Sequence, residues 1–341
     1  MTLAVVLLAA GQGTRMLSKK QKILHEVGGK PMVAHIFETA VSISDIPPVL
    51  VIGPGESGVQ ALFGGRAQYV VQPQQLGTGH AAMMAQEMLQ GQTTQVLVTY
   101  GDMPLLKAET LAQLAQMQAD TGAAIAMLSL WGDPASSFGR VVRDEHGRIR
   151  EIMEAAQAKR HPDAATLLAI REQNAGVYCF DADWLWVNIH NLPLRQARSG
   201  QEYYLTDMIE LAVQQGLAVE GIITEDADEC LGAGTRAELV TVEKAFRRRA
   251  NARWLAQGVT LVDPDTTYID PDVTIGQDTI IWPNSYLQGQ TAVGEDCTIG
   301  PNTILRNAQI GDGCTIEQAV VDGVVVAAGT AVLPFSVISK Q

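Results

Sequence analysis

The chain has 341 residues, 47 % of them hydrophobic and only 18 % charged, which is enough apolar surface to offset the entropy of ordering and too much for a disordered tail. Its formal charge of −13 argues against a nonspecific polyanion-binding surface, so nucleic acid is not an expected partner and a phosphate ligand must be held by a local site. The four cysteines, Cys179, Cys230, Cys297 and Cys314, form no C-x-x-C pair and no zinc-ligand spacing with histidine, which argues against a disulfide scaffold and a structural zinc.

From Leu3 to Ala10 a continuous apolar run breaks at Gly11-Gln12-Gly13, the pattern of a parallel strand buried on both faces. No basic stretch precedes it and it is too short to span a bilayer, so no membrane association is expected and the default compartment is the cytoplasm. Further strands are expected at 48–52, 67–71, 95–100 and 123–129, alternating with helices over 32–42, 81–89 and 109–119. This alternation predicts an α/β fold with a Rossmann-like doubly wound sheet and ligand loops at the strand carboxyl ends. Segments 140–142 and 149–153 flank Asp144-Glu145-His146-Gly147, a hairpin signal that makes the sheet mixed. A strand at 177–180, a helix at about 206–215 and a strand at 218–223 complete a first domain over 1–235.

Residues 236–257 contain no Gly or Pro and put Leu239, Val242, Ala245, Phe246 and Ala250 near one stripe, which predicts a connecting helix. Arg247-Arg248-Arg249 are expected to be solvated cations near its C-terminus. From Ala252 onward there are three Lys and Arg against ten Asp and Glu. Aliphatic residues at 275, 293, 299, 310 and 316 are each followed by a small or polar residue, with separations of 18, 6, 11 and 6. That hexapeptide period predicts a short left-handed parallel β-helix over 258–341, of about four triangular coils, although the gap of 11 misses the period by one.

Three loops carry the chemistry. The first strand runs into Leu8-Ala9-Ala10-Gly11-Gln12-Gly13-Thr14-Arg15-Met16, where two glycines let backbone N–H groups approach phosphate oxygens and Arg15, with Lys22, supplies cations. A glycine turn with surface cations would read the same way. The loop is neither a Walker A loop nor a dinucleotide fingerprint, because Gly-Lys-Ser/Thr is missing and Met16 occupies the third glycine position. The second loop runs from Gln72 to Ala81. Its Gln72 amide carries a donor and an acceptor suited to a pyrimidine edge, Gly77 allows backbone contact with the base, and His80 reads as a packed or capping residue. The third, Thr99-Tyr100-Gly101-Asp102-Met103-Pro104, ends a central strand with a carboxylate suited to Mg²⁺ against phosphates, or with a turn aspartate.

Together these loops resemble the sugar-nucleotidyltransferases, and within them the bacterial N-acetylglucosamine-1-phosphate uridylyltransferases, the amino-terminal half of an enzyme whose other half is a glucosamine-1-phosphate acetyltransferase. The resemblance runs from Leu3 to about Phe335. It includes Leu-Ala-Ala-Gly-x-Gly-Thr-Arg-Met at 8–16, Lys-Ile-Leu-His at 22–25, Gln-Leu-Gly-Thr-Gly-His-Ala at 75–81, Tyr-Gly-Asp at 100–102, Phe-Gly-Arg at 138–140, and Glu-Tyr-Tyr-Leu-Thr-Asp at 202–207. It implies that Leu8, Ala9, Ala10, Gly11 and Gly13 line a nucleotide, that Arg15 and Lys22 act as catalytic cations on its phosphates, and that Gln72, Gln75, Gly77 and Thr78 receive uridine. Tyr100, Gly101 and Asp102 would close the site, with Asp102 as the Mg²⁺ ligand. Gly139, Glu154, Asn174, Tyr204 and Thr206 match positions that contact the sugar, although a turn, a solvated strand end and a core tyrosine would also account for Gly139, Glu154 and Tyr204.

The implied reaction joins UTP and N-acetylglucosamine 1-phosphate into UDP-N-acetylglucosamine, a cell-wall precursor, and pyrophosphate, by in-line attack of the sugar phosphate without a protein nucleophile. This sequence departs from the family pattern where Gly234 replaces a metal-ligating Asn, where Ala155-Ala156 follow Glu154 in place of His-Lys, and where Gln21 replaces a Pro. Loss of the Asn favours an alternative, a non-catalytic nucleotide-sugar sensor or an enzyme of altered sugar choice; retention of Arg15, Lys22, Gln72 and Asp102 favours the enzyme. The resemblance further implies a homotrimer formed through the β-helix, and no acetyltransferase activity from this chain.

Overall fold

A computed structural model of the protein describes residues 1–55, 57–197 and 200–340. They form two compact units, one of residues 1–25 and 32–235, the other of residues 26–31 and 236–341.

Nine strands among the described residues build the sheet of the first unit: β1 (Leu3–Leu8), β2 (Val49–Ile52), β3 (Gln68–Val71), β4 (Gln95–Tyr100), β5 (Ile125–Trp131), β6 (Arg140–Arg143), β7 (Ile149–Met153), β8 (Glu172–Asp181) and β9 (Val219–Thr224). Their order is β9-β5-β8-β4-β1-β2-β3, with β6 paired to β8 and to β7. Strand β1 is parallel to both β4 and β2, in the register Leu8↔Tyr100 and Leu8↔Val51. The strand and the two residues after it divide by parity, as a period of two requires. Leu3, Val5, Leu7 and Ala9 pack with Val33, Ile36, Phe37, Leu111 and Leu114; Ala4, Val6, Leu8 and Ala10 pack with Ala81, Ala82, Leu89, Trp186 and Met208. Helices therefore cover both faces, which is why the run reads as continuously apolar.

The sheet is mixed because β8 runs antiparallel to β4 and β5, and the β6–β7 hairpin joins it at Gln173↔Arg140. The chain leaves β1 toward β2 and β3 on one side and returns to β4 on the other, so the carboxyl ends of β1 and β4 form the switch point where such sheets open a ligand crevice. Strand β8 has a register shift between Asn174 and Val177, with Gly176 at φ +78°, a bulge beside that crevice.

In the second unit three parallel stacks of short strands make the left-handed β-helix, with five, five and four strands among the described residues. Buried Ile275, Val293, Ile310 and Val326 form one column, and their spacing is 18, 17 and then 16 residues. The irregular gap in the sequence is this shortening of the coil. The helix Arg236–Ala256 buries Val242, Ala245, Asn251 and Trp254. Arg247 departs from the expected solvated cation: it is buried in mid-helix, with its guanidinium 4.3 Å from the centre of the Tyr268 ring.

Candidate active site

Strand β1 ends against its neighbours through Gly101 N–H to Leu8 O (3.0 Å) and Ala9 N–H to Val51 O (2.8 Å), which fixes the start of the first loop. Ala9 and Ala10 are buried and Gly11 is exposed, with open space where a Cβ would point. Two glutamine side chains hold the loop from behind: Gln21 Nε2 donates to Ala9 O (3.3 Å), and Gln75 Nε2 donates to Ala10 O. Gly13 has φ +60°, and a Cβ there would overlap the Lys22 side chain, so a glycine is what lets Lys22 cross the loop.

Lys22 Nζ lies 2.5 Å from Asp102 Oδ2, and both side chains are less than one-fifth exposed. The pair spans the carboxyl ends of β1 and β4. Arg15 stands exposed on the turn Thr14–Met16, which buried Met16 anchors, and it makes no side-chain hydrogen bond among the described residues.

On the other flank the Gln72 side chain is buried, and its Nε2 donates to Gly77 O (3.0 Å) and lies 3.1 Å from His80 Nδ1. The helix expected over 81–89 begins earlier, at Gly77, and breaks after Met83; a second turn covers Gln86–Leu89. The early start is a tertiary effect. A Cβ on Gly77, at φ +91°, would lie 2.6 Å from Tyr203 O, and Leu205 N–H donates to Thr78 Oγ1 (3.0 Å). The segment 202–206 is thereby pressed onto the glutamine loop.

Tyr100 links the two flanks. Burial, with Glu154 and Asp102 nearby, pushes its phenol above the ordinary range, while a hydrogen bond with Thr78 opposes this. A Cβ on Gly176 would strike the Tyr100 ring, so the β8 bulge and the tyrosine fit only with glycine there.

The residues matched to sugar contacts also gather. Thr206 Oγ1 donates to Glu154 Oε1 (3.3 Å), and the Cβ direction of Gly139 points to within 3.6 Å of both Glu154 oxygens. Burial raises the Glu154 carboxyl, with Asp207 adding to it and Thr206 opposing. Buried Asn174 donates from Nδ2 to the Tyr178 hydroxyl (2.6 Å) and accepts at Oδ1 from Gly176 N–H (3.0 Å), and its backbone N–H donates to Gly139 O (2.9 Å). Tyr204 is half-buried, its phenol raised chiefly by burial.

Sequence reasoning missed Tyr178 and Arg140. Arg140 is fully buried and donates to the carbonyls of Pro134 (2.6 Å), Ser136 (3.2 Å) and Phe138, cinching the loop that carries Gly139. The Phe-Gly-Arg motif was the available signal. A cavity of about 370 Å³ lined by Glu151, Gln157, His161, Arg195 and Glu210 shares Thr206 with these residues and is lined by none of the three loops.

Residues 5–177 match the family of MobA-like NTP transferase domains, and residues 272–307 match six repeats of the bacterial transferase hexapeptide. A bifunctional protein GlmU from Exiguobacterium sibiricum is 39 % identical over 337 residues, covering 98 % of this chain and 73 % of that protein. The chain belongs to the GlmU family. A GlmU from Enterococcus faecalis is 38 % identical over 331 residues, covering 97 % of this chain and 71 % of that one. A Bacillus anthracis crystal structure described as a glucose-1-phosphate thymidylyltransferase superposes with a TM-score of 0.57 at 19 % identity, covering 72 % of this chain and 95 % of that one, a likeness of fold alone. As a GlmU-type nucleotidyltransferase, the protein transfers uridylyl from UTP to N-acetylglucosamine 1-phosphate, giving UDP-N-acetylglucosamine and pyrophosphate.

Proposed function

We propose that UTP lies along residues 8–16 and 72–79 of the first unit, and that N-acetylglucosamine 1-phosphate lies against Gly139, Glu154, Asn174, Tyr204 and Thr206. The observation that carries this reading is the Lys22–Asp102 pair at the ends of β1 and β4, with the glutamine loop on one flank and Glu154 on the other. Both hydrogen bonds of the Gln72 side chain run through Nε2, so Oε1 is the acceptor left for a base. Uracil offers N3–H to it, whereas cytosine would set a lone pair against it. Backbone N–H groups of Gly77 and Thr78 suit the uracil carbonyls.

The attacking phosphate oxygen is already anionic, so no general base is required. A bond forms from that oxygen to the α-phosphorus, and the bond from the α-phosphorus to the oxygen bridging to the β-phosphorus breaks; pyrophosphate takes the electron pair. Lys22 and Arg15 hold the phosphates and offset the charge that develops on the leaving group. Lys22 is preorganised on Asp102 and must turn from it to a phosphate.

Mg²⁺ is the implied cofactor, and one hard carboxylate fits the way that ion is held, by one or two carboxylates plus substrate phosphates. Among the described residues no three His, Cys, Asp or Glu gather into a protein cage. Asp102 would hold the ion, which would neutralise phosphate charge. Gly234 brings no second ligand, and Lys107 ties up nearby Asp226 and Glu229, each at 2.9 Å. The sugar is selected on Glu154 and Asn174. UTP and sugar phosphates are intracellular metabolites, which supports a cytoplasmic enzyme; no helix among the described residues is long and apolar enough to cross a membrane. The hexapeptide unit supports self-association, which we read as a homotrimer.

The test is Asp102→Asn. Turnover should fall by at least about 100-fold with melting nearly unchanged, because a neutral amide is a poor Mg²⁺ ligand and a poor partner for Lys22. A variant with a normal rate and a normal Mg²⁺ titration would remove Asp102 from the site.

A further inference from the structure

The Gln72 amide could in principle face a base with either end, and the protein decides which. A carbonyl oxygen only accepts, so the Gln72 atom 3.0 Å from Gly77 O must be the amide nitrogen. That nitrogen also lies 3.1 Å from His80 Nδ1. An NH₂ group has nothing to accept with, so Nδ1 must carry a lone pair, and in the neutral ring the proton sits on Nε2. The imidazole is half-buried, eight residues from Gln72, with its ring centre 6.4 Å from that of Tyr203, so packing limits its rotation. His80 Nε2 makes no hydrogen bond among the described residues. The two amide hydrogens are thus both used within the loop.

We propose that His80 is the positioning residue for nucleobase selection: its Nδ1 lone pair clamps the second hydrogen of the Gln72 amide, so that an acceptor and not a donor faces the base. The inference rests on the reading of Gln72 as the base-contacting residue, and gives His80 a part in selection without contact to the nucleotide. Gly77 O alone is one anchor on a rotatable amide. With His80 in place, turning the amide over to serve cytosine would set its oxygen against both an oxygen and a nitrogen lone pair.

The experiment compares kcat/KM for UTP and CTP at saturating N-acetylglucosamine 1-phosphate in the intact protein and in His80→Leu, His80→Asn and Gln72→Ala. Leucine keeps bulk and loses the acceptor, so the UTP-over-CTP ratio should fall about tenfold, the effect of one hydrogen bond, with more change in KM than in kcat. Asparagine offers Oδ1 near the place of Nδ1 and should keep the ratio within about threefold. Equal losses in the leucine and asparagine variants, or an unchanged ratio in the leucine variant while Gln72→Ala collapses it, would overturn the role of His80 and leave Gln72 standing. An unchanged ratio in Gln72→Ala would overturn the base reading itself. Should the leucine variant fail to fold, ¹⁵N spectra of the histidine side chains in the unmodified protein decide: a protonated Nε2 and bare Nδ1 at His80 support the clamp, and a protonated Nδ1 contradicts it.

Discussion

Glu154 is a carboxylate held where the fold prefers the acid. It forms no ion pair among the described residues, and burial raises its pKa above the ordinary 4.5. The stability carried by the neutral form is fully present below the ordinary value, about pH 4.5, and is lost as pH rises through the raised value. Glu154→Gln should therefore melt higher than the native protein at pH 7, on the order of 1–3 °C, and about equally at pH 4, while the KM for the sugar phosphate rises about tenfold or more. Paired melting curves at the two pH values, with KM, check both halves. Lower stability at pH 7 would mean that the Thr206 hydrogen bond to the carboxylate outweighs the cost of its burial, and an unchanged KM would take Glu154 out of the proposed sugar site. At this scale Gln72 and Asp102 were readable as candidates because they close apolar strands, and Arg15 and Lys22 because they are cations on or just beyond the glycine loop. The candidates Glu154 and Asn174 were legible only through resemblance, since Glu154 takes its hydrogen bond from Thr206, far away along the chain, and Asn174 is set by a strand bulge that no apolar pattern marks. Nothing local marks Tyr178 or the clamp at His80.

Elements were legible where burial follows one local rule. The continuous run of β1 and the breaks after it are explained by two packed faces, whereas the start of the helix at Gly77 depends on Tyr203, which no local window contains. Arg247 departs from its expected solvation for the same reason, because the Tyr268 ring that packs on its guanidinium lies on another element. In the β-helix the glycines that follow Val293 and Ile310 have a packing cause. A Cβ on Gly294 would meet Asp312 N at 2.7 Å, and one on Gly311 would meet Ala328 N at 2.6 Å and Ala328 Cα at 2.8 Å. These neighbours are backbone and cannot swing aside. Gly311→Ala should cost about 1–3 kcal/mol of stability in that unit, visible in calorimetry as a lowered transition. An unchanged thermogram would contradict the packing that we assign to the column.

At the scale of the whole molecule, a chain of net charge −13 handles anionic substrates, and the proposed site does so by gathering Arg15, Lys22 and loop N–H groups at the ends of two neighbouring strands. Long-range attraction contributes little to such a site, so in the proposed reading selectivity comes from contacts: an acceptor for uracil, a carboxylate and an amide for the sugar, and Asp102 facing the phosphates. The most direct test is pyrophosphate release from UTP, CTP, ATP and dTTP, each paired with N-acetylglucosamine 1-phosphate, glucosamine 1-phosphate or glucose 1-phosphate, with Mg²⁺ present and then removed by chelation. The account predicts that UTP with N-acetylglucosamine 1-phosphate has the highest kcat/KM, that one UDP-N-acetylglucosamine forms per pyrophosphate, and that chelation stops release. Tight binding of UDP-N-acetylglucosamine without pyrophosphate release from any pair, or a tenfold preference for another pair, would contradict it.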